Sequence, residues 1–362
     1  MFDRRLLLNF DWVILLLVLM LGSIGIISLY STSGGNAAVY TRQLYWLLVG
    51  FIFMIPMFVF SYQYLERFAY PIYVISLILL LLVLIFGRTS FGARRWLDVG
   101  MFSAQPSEFA KLAVILILSR YFSQRRIPDI GMSFKDFIGA FFLVVPPFLL
   151  IVKEPDLGTA STILLIAFSM ILFAKVRLRI IIVSLLTLLV SIPFLWHFLK
   201  DYQKQRILSF LNPNLDPLGS GYHLIQSKIA IGSGGFLGRG FMQGTQSKLK
   251  FLPTQNTDFI FSVIAEEWGF IGSVFILGLF LFLILWILRV SGRSKDRFGA
   301  FLSFGIGSMI FWHVFINIGM VVGIFPVVGV PLPFLSYGGS FFLTLMIATG
   351  LIININMRRF MF

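Results

Sequence analysis

The sequence predicts an all-α polytopic membrane protein, and three observations carry that expectation. Of the 362 residues, 58% are hydrophobic and only 12% are charged, against ~25% charged in a soluble domain. Apolar runs long enough to cross ~30 Å of hydrocarbon recur along the whole chain. The mean hydropathy is +0.94 and Phe alone contributes 42 residues, more apolar surface than a water-soluble chain can hide. A cytosolic enzyme and a disordered protein are excluded. With no Cys, so are a disulfide-stapled domain and a zinc-thiolate site. His197, His223 and His313 stand alone without metal-ligand spacing, so no metal site is expected from the protein's own side chains.

Ten spans are read in order: near Trp12–Tyr30, Leu44–Tyr62, Ala69–Phe86, Ser107–Phe122, Phe137–Val152, Thr159–Ala174, Ile180–Phe198, Trp268–Leu288, Phe298–Val322 and Ser336–Asn356. The first follows Arg4 and Arg5 as a signal peptide would, but its apolar stretch is too long for a cleaved segment and is read as a retained helix. An even number of spans places both termini on one side. More than half of the 29 Lys and Arg then fall in the segments on that side, which makes it cytoplasmic. The net charge of +14 is thereby a topology signal rather than a nucleic-acid footprint. The chain reads as one membrane domain, 1–362, with a long extracytoplasmic loop over about 199–257 between the seventh and eighth helices.

Most acidic residues gather on the outer side. In the long loop, Tyr222–Ile231 mixes Leu224, Ile225, Ile229 and Ile231 with Gln226, Ser227 and Lys228, a pattern suited to a short interfacial helix. The glycine-rich run after it matches no phosphate-binding fingerprint and signals only tight turns or close backbone approach. Asp258 then opens the eighth helix. Asp258–Glu267 would extend that helix outward by roughly 15 Å and would carry three carboxylates there. An acid at a helix N-terminus offsets the dipole by ~0.3–1 kcal/mol without doing chemistry, and a positioned general base is the other reading. The fourth span is short, so Glu108 and Lys111, at i and i+3, lie near the membrane boundary on one face. They are either an internal ion pair or one wall of a cavity. Arg94, Arg95 and Trp96 precede that span, and Lys153, Glu154 and Asp156 crowd the next short outer loop around Pro155. Together these features describe an outer cavity with cations at headgroup height. It suits a lipid-linked anionic substrate, and equally a transporter.

Four blocks carry a resemblance: FGARRWLDVGMFSAQPSEFAKL (Phe91–Leu112), KEPDLGTA (Lys153–Ala160), Gly221–Phe270, and PVVGVPLPFLSYGGS (Pro326–Ser340). In order and spacing the chain resembles the SEDS family of bacterial cell-wall proteins over essentially its whole length. The GTQSKLKFLP wording of Gly244–Pro253 is similar to the elongation-type, rod-shape branch rather than the division-type branch. The resemblance implies a peptidoglycan glycosyltransferase in the bacterial cytoplasmic membrane that polymerises lipid II at the outer face. It also implies a class B penicillin-binding protein partner that crosslinks the product. It matches the family's catalytic aspartate to Asp258, and Trp96, Glu108 and Lys111 to positions in or near the central cavity. Asn256–Thr257 departs from the His-Thr often found before that aspartate.

The expected substrate-binding set is Arg94, Arg95, Trp96, Glu108, Lys111, Lys153, Glu154, Asp156, Arg206, Gln226 and Lys228. Its cations, or a divalent ion such as Mg or Mn at the diphosphate, would meet the charge that develops on the leaving group. A lipid II flippase and a non-catalytic scaffold for the crosslinking enzyme are the competing readings. The sequence shows no internal repeat of the kind many transporters carry.

Overall fold

A computed structural model describes residues 9–90, 93–99, 102–125, 131–198, 201–213, 219–252 and 254–359. Arg4 and Arg5 lie outside them. In chain order the elements are helices α1 (Trp12–Thr32), α2 (Ala37–Val59) and α3 (Tyr62–Phe86), strands β1 (Arg88–Ser90), β2 (Ala93–Val99) and β3 (Phe102–Ala104), and helices α4 (Pro106–Ser123), α5 (Phe134–Lys153), α6 (Leu157–Phe173), α7 (Leu178–Phe198), α8 (Asp201–Leu211), α9 (Ser220–Gly234), α10 (Thr245–Lys248), α11 (Ile260–Gly292), α12 (Arg297–Val322) and α13 (Gly339–Arg358). Among the described residues seven of these, α1, α2, α3, α5, α11, α12 and α13, are long and apolar enough to cross a membrane. The protein is a helical, multi-pass membrane protein.

Local chemistry starts many of these helices where the chain needs them. Asp11, Asn36, Ser61, Ser133, Asp156 and Asp296 each precede a helix and accept a hydrogen bond from one of its first amides, which satisfies a donor left orphaned at the first turn. Burial then sorts the bundle into layers. Helix α4 is buried along almost its whole length and packs against α3, α12, α6, α5 and α13. Helices α12 and α13 are largely buried too. Helices α2, α3, α5 and α7 leave long apolar side chains such as Ile52, Ile85, Phe142 and Phe194 exposed, as a lipid-facing wall requires.

Two features depart from expectation. The all-α reading omits a small antiparallel sheet, ordered β1–β2–β3, which pairs Arg88 with Trp96 and Asp98 with Ser103. The second departure is in α11, which is not one straight rod: Gly269, at φ 67°, breaks it. The amides of Arg239 and Gly240 donate to the Glu266 and Glu267 carbonyls at 2.9 and 3.0 Å, and the Phe270 amide donates to Gly235. A Cβ on Gly269 would lie 2.2 Å from the Gly238 nitrogen, so only glycine admits this approach. Close backbone approach is therefore what the glycine-rich run provides. The proposed outward extension of the eighth helix becomes a separate segment, folded against that run. Within the long loop the described residues form α8, α9 and α10, and α9 contains the expected Tyr222–Ile231 helix.

Candidate active site

Asp258 sits two residues before α11. The residue capping that helix is Phe259, which makes no side-chain capping bond, so the carboxylate does not serve as a helix cap. Its backbone, by contrast, is held firmly. The Asp258 amide donates to the Thr254 carbonyl at 3.2 Å. The Asp258 carbonyl accepts from Asn317 Nδ2 at 2.9 Å, and the same amide group donates to the Val330 carbonyl at 2.7 Å. Ser336 Oγ donates to the Thr257 carbonyl at 2.5 Å, and the Tyr337 amide to the Asn256 carbonyl at 2.9 Å. Helix α12 and the segment after it thus fix the main chain on both sides of the aspartate.

The side chain is half-buried, and burial pushes its pKa up to about 6. Arg206 on α8, a hydrogen bond from Thr257 and Arg95 each pull it down, while Asp156 pushes it up. A carboxylate near 6 is ionised at neutral pH yet basic enough to accept a proton, the balance a general base needs. Gly329 lies beside it: a Cβ there would sit 3.4 Å from Asp258 Oδ2, on backbone at φ 73°.

The β1–β2 register slips between Arg94 and Trp96, which pair with Thr89 and Arg88, and the contacts of Arg94 and Arg95 diverge there. Arg95 bonds to the Pro155 carbonyl and lies 3.8 Å from Asp156. Arg94, exposed, bonds back to the Leu84 carbonyl at 3.5 Å. Trp96 is half-buried. Asp156 is consumed by its own neighbours, accepting from Thr159 N at 3.2 Å, Thr159 Oγ1 at 2.9 Å and Gln105 Nε2 at 3.2 Å. Glu154 is fully buried and neither oxygen has a hydrogen-bond partner. Burial, with Asp156 adding to it and Arg95 opposing, pushes its pKa to about 8. Lys153 is exposed in the last turn of α5 and Lys228 is exposed on α9, beside Gly323. Gln226 is half-buried. Among the described residues no hydrogen bond or ion pair joins Lys153, Lys228 or Gln226 to the aspartate.

The open choice for Glu108 and Lys111 resolves toward an internal pair. Lys111 Nζ lies 2.8 Å from Glu108 Oε2, with both side chains buried. The same Nζ reaches His313 Nε2 at 2.8 Å, and His313 Nδ1 reaches the Pro331 carbonyl at 3.2 Å. One tautomer satisfies both contacts: Nδ1–H donates to the carbonyl, and Nε2 accepts from the ammonium. His313, read from sequence as standing alone, completes a triad beneath the Asp258 loop.

His313 and Asn317 are the site residues that sequence reasoning missed. They lie one turn apart on α12 and hold the consecutive carbonyls of Pro331 and Val330. Their signal was present, since two polar side chains at i and i+4 in an otherwise apolar membrane helix face protein rather than lipid.

The FtsW/RodA/SpoVE family model, described as cell cycle protein, matches residues 4–360. The chain is 42% identical over 352 residues to the peptidoglycan glycosyltransferase MrdB of Escherichia coli K12, covering 97% of this chain and 94% of that one. It is 36% identical to the peptidoglycan glycosyltransferase RodA of Treponema pallidum, covering 97% and 98%. Among solved structures it resembles a chain of a peptidoglycan synthase complex, with TM-score 0.84, 34% identity and coverage of 98% and 99%. It also resembles the rod shape determining protein RodA of Thermus thermophilus, with TM-score 0.74, 28% identity and coverage of 98% of each chain.

Proposed function

Since the chain belongs to the FtsW/RodA/SpoVE family of cell cycle proteins, we propose that it is a peptidoglycan glycosyltransferase of the elongation type. It polymerises lipid II into glycan strands at the outer face of the bacterial cytoplasmic membrane. The observation that carries the catalytic assignment is Asp258: a carboxylate with its backbone clamped, its side chain half-open and its pKa near 6. Ten spans with both termini cytoplasmic complete the topology. Helices α4, α6 and α7 supply the three beyond the seven long apolar ones, and α4 is made less apolar by Glu108, Lys111 and Arg120.

In the reaction, the 4-hydroxyl of one lipid-linked disaccharide attacks the anomeric carbon of another, with inversion. The carbon–oxygen bond to the diphosphate breaks as the new glycosidic bond forms. Asp258 accepts the hydroxyl proton, and the lipid diphosphate leaves with the bonding electrons. Arg206 and Arg95, the cations that act on Asp258 electrostatically, are placed to offset charge on the leaving group. Arg94, Trp96, Lys153, Gln226 and Lys228 are assigned to the rim of the site, where a long substrate would reach them. Among the described residues no three His, Asp or Glu side chains converge as a metal cluster, and Asp156 already spends its oxygens on Thr159 and Gln105. A divalent ion at the diphosphate would take most of its ligands from the phosphates and water, with one or two carboxylates from the protein. A class B penicillin-binding protein would take the glycan strand for crosslinking. The likeness to a chain of a synthase complex that joins polymerization and crosslinking supports this partner.

The test is glycan polymerisation from pure lipid II by the reconstituted protein, with and without the partner, alongside a vesicle flipping assay. Polymer without flipping is expected. Flipping without polymer would overturn the assignment.

A further inference from the structure

A second constellation lies at the opposite end of the bundle from Asp258. Trp286, Arg289, Val290 and Arg293 follow i, i+3, i+4, i+7 spacing and share one face at the C-terminal end of α11. Asn356 on α13 and Arg359, which caps the C-terminus of that helix, lie across from them. Together the six line a cavity of about 140 Å³. The Arg289 guanidinium lies over the Trp286 ring, 4.7 Å from its centroid, so the cavity has an aromatic wall as well as cations.

The nearby acid offsets at most one of the three positive charges. Asp11 is buried, and its oxygens accept from Trp286 Nε1 at 2.9 Å, from the Ile14 amide at 3.2 Å and from Asn356 Nδ2. Among the described residues no carboxylate pairs with Arg289 or Arg293. Basic residues at a helix C-terminus complement its dipole, and those on the cytoplasmic side set topology. Neither effect requires three guanidinium groups to line one cavity between two helices.

Guanidinium forks match phosphate oxygens in pairs. What lies beside the cavity indicates where the phosphate comes from. One turn toward the membrane on the same helix, Phe282 and Leu285 stand at i−4 from Trp286 and Arg289, and both are exposed. A ligand held at the arginines by its phosphate would lay its hydrocarbon along that strip. We propose that this cavity binds the phosphodiester headgroup of an anionic phospholipid from the leaflet opposite the active site. Basic pockets between membrane helices on the cytoplasmic side take such headgroups. The inference does not rest on the glycosyltransferase reading.

The test uses the full-length protein, delipidated in detergent, with lipid binding read by native mass spectrometry and thermal shift. The probes are phosphatidylglycerol, phosphatidylcholine and inorganic phosphate. Phosphatidylglycerol is expected to bind and raise the melting temperature. The double variant Arg289→Gln/Arg293→Gln is expected to weaken that binding about tenfold or more, as loss of charge-assisted hydrogen bonds should. Its phosphatidylcholine binding should stay unchanged. Arg177→Gln/Arg179→Gln, which removes equal charge away from the cavity, is expected to bind phosphatidylglycerol as the wild type does, and mass spectra of the folded fraction keep the comparison valid if a variant is destabilised. The proposal is overturned if the two lipids bind alike, if the control pair weakens binding as much as the cavity pair, or if inorganic phosphate alone gives the full stabilisation.

Discussion

Two charged groupings meet the same loop from different sides, and only one of them leaves a carboxylate half-open. Beneath Pro331, the Glu108–Lys111–His313 triad is buried with its charges matched at 2.8 Å. Beside Val330, Asp258 has a fixed main chain and a half-open carboxylate whose own hydrogen bond comes from its neighbour Thr257. The difference is between charges held by one another and a charge held by its main chain. In the triad the charged groups are turned toward one another, whereas Asp258 is held by its backbone and its carboxylate is left half-open.

Removing the reactive oxygen should have the largest effect. Asp258→Asn keeps shape and hydrogen bonding but removes the base, and turnover of lipid II is expected to fall about 10²–10⁴-fold with no loss of melting temperature. The mirror experiment is Lys111→Met, which strands Glu108 in the core. It should destabilise the fold by about 3–5 kcal/mol, read as a fall in melting temperature in detergent. Adding Glu108→Gln to Lys111→Met should recover much of that loss. If the double variant is folded yet inactive, the triad does more than structural work.

Between these lies the residue that joins the two regions. Asn317→Ala would leave the buried carbonyls of Asp258 and Val330 without their shared donor, at a cost of about 1–3 kcal/mol. Because it loosens the base rather than the substrate, kcat should fall more than KM rises. Gly329→Ala should have the smallest effect. A side chain at φ 73° costs about 1–2 kcal/mol and would place a methyl 3.4 Å from Asp258 Oδ2, and a modest kcat loss in steady-state assays is expected.

These contrasts also mark how far the sequence was readable. Apolar runs locate the long helices because lipid demands about 20 consecutive apolar residues, and α9 follows from its mixed apolar and polar face. Asp258 was visible as one of three outer carboxylates, but its role rested on family resemblance, since a cap and a base look alike in sequence. The structure separates the three. Glu266 accepts from the Gln246 amide at 3.0 Å and Thr245 Oγ1 at 3.2 Å, and Glu267 accepts from Ser31. Those partners come from distant segments that no local pattern announces. Likewise, Arg94 and Arg95 were grouped as neighbours because the strand carrying them was not recognised, and their partners, the Leu84 and Pro155 carbonyls, lie in different segments. The break at Gly269 depends on a loop some thirty residues earlier in the chain, which makes it a tertiary event.

The most direct measurement of the central claim is the pH dependence of kcat/KM for lipid II polymerisation, in wild type and in Arg206→Gln. A base works only when ionised, so the wild-type rate should fall about tenfold per unit as the pH drops below the pKa near 6. Arg206 favours the ionised form, so its removal should move that acid limb to higher pH. A wild-type profile flat between pH 5 and 7, or a limb that ignores Arg206→Gln, would contradict Asp258 as the proton acceptor.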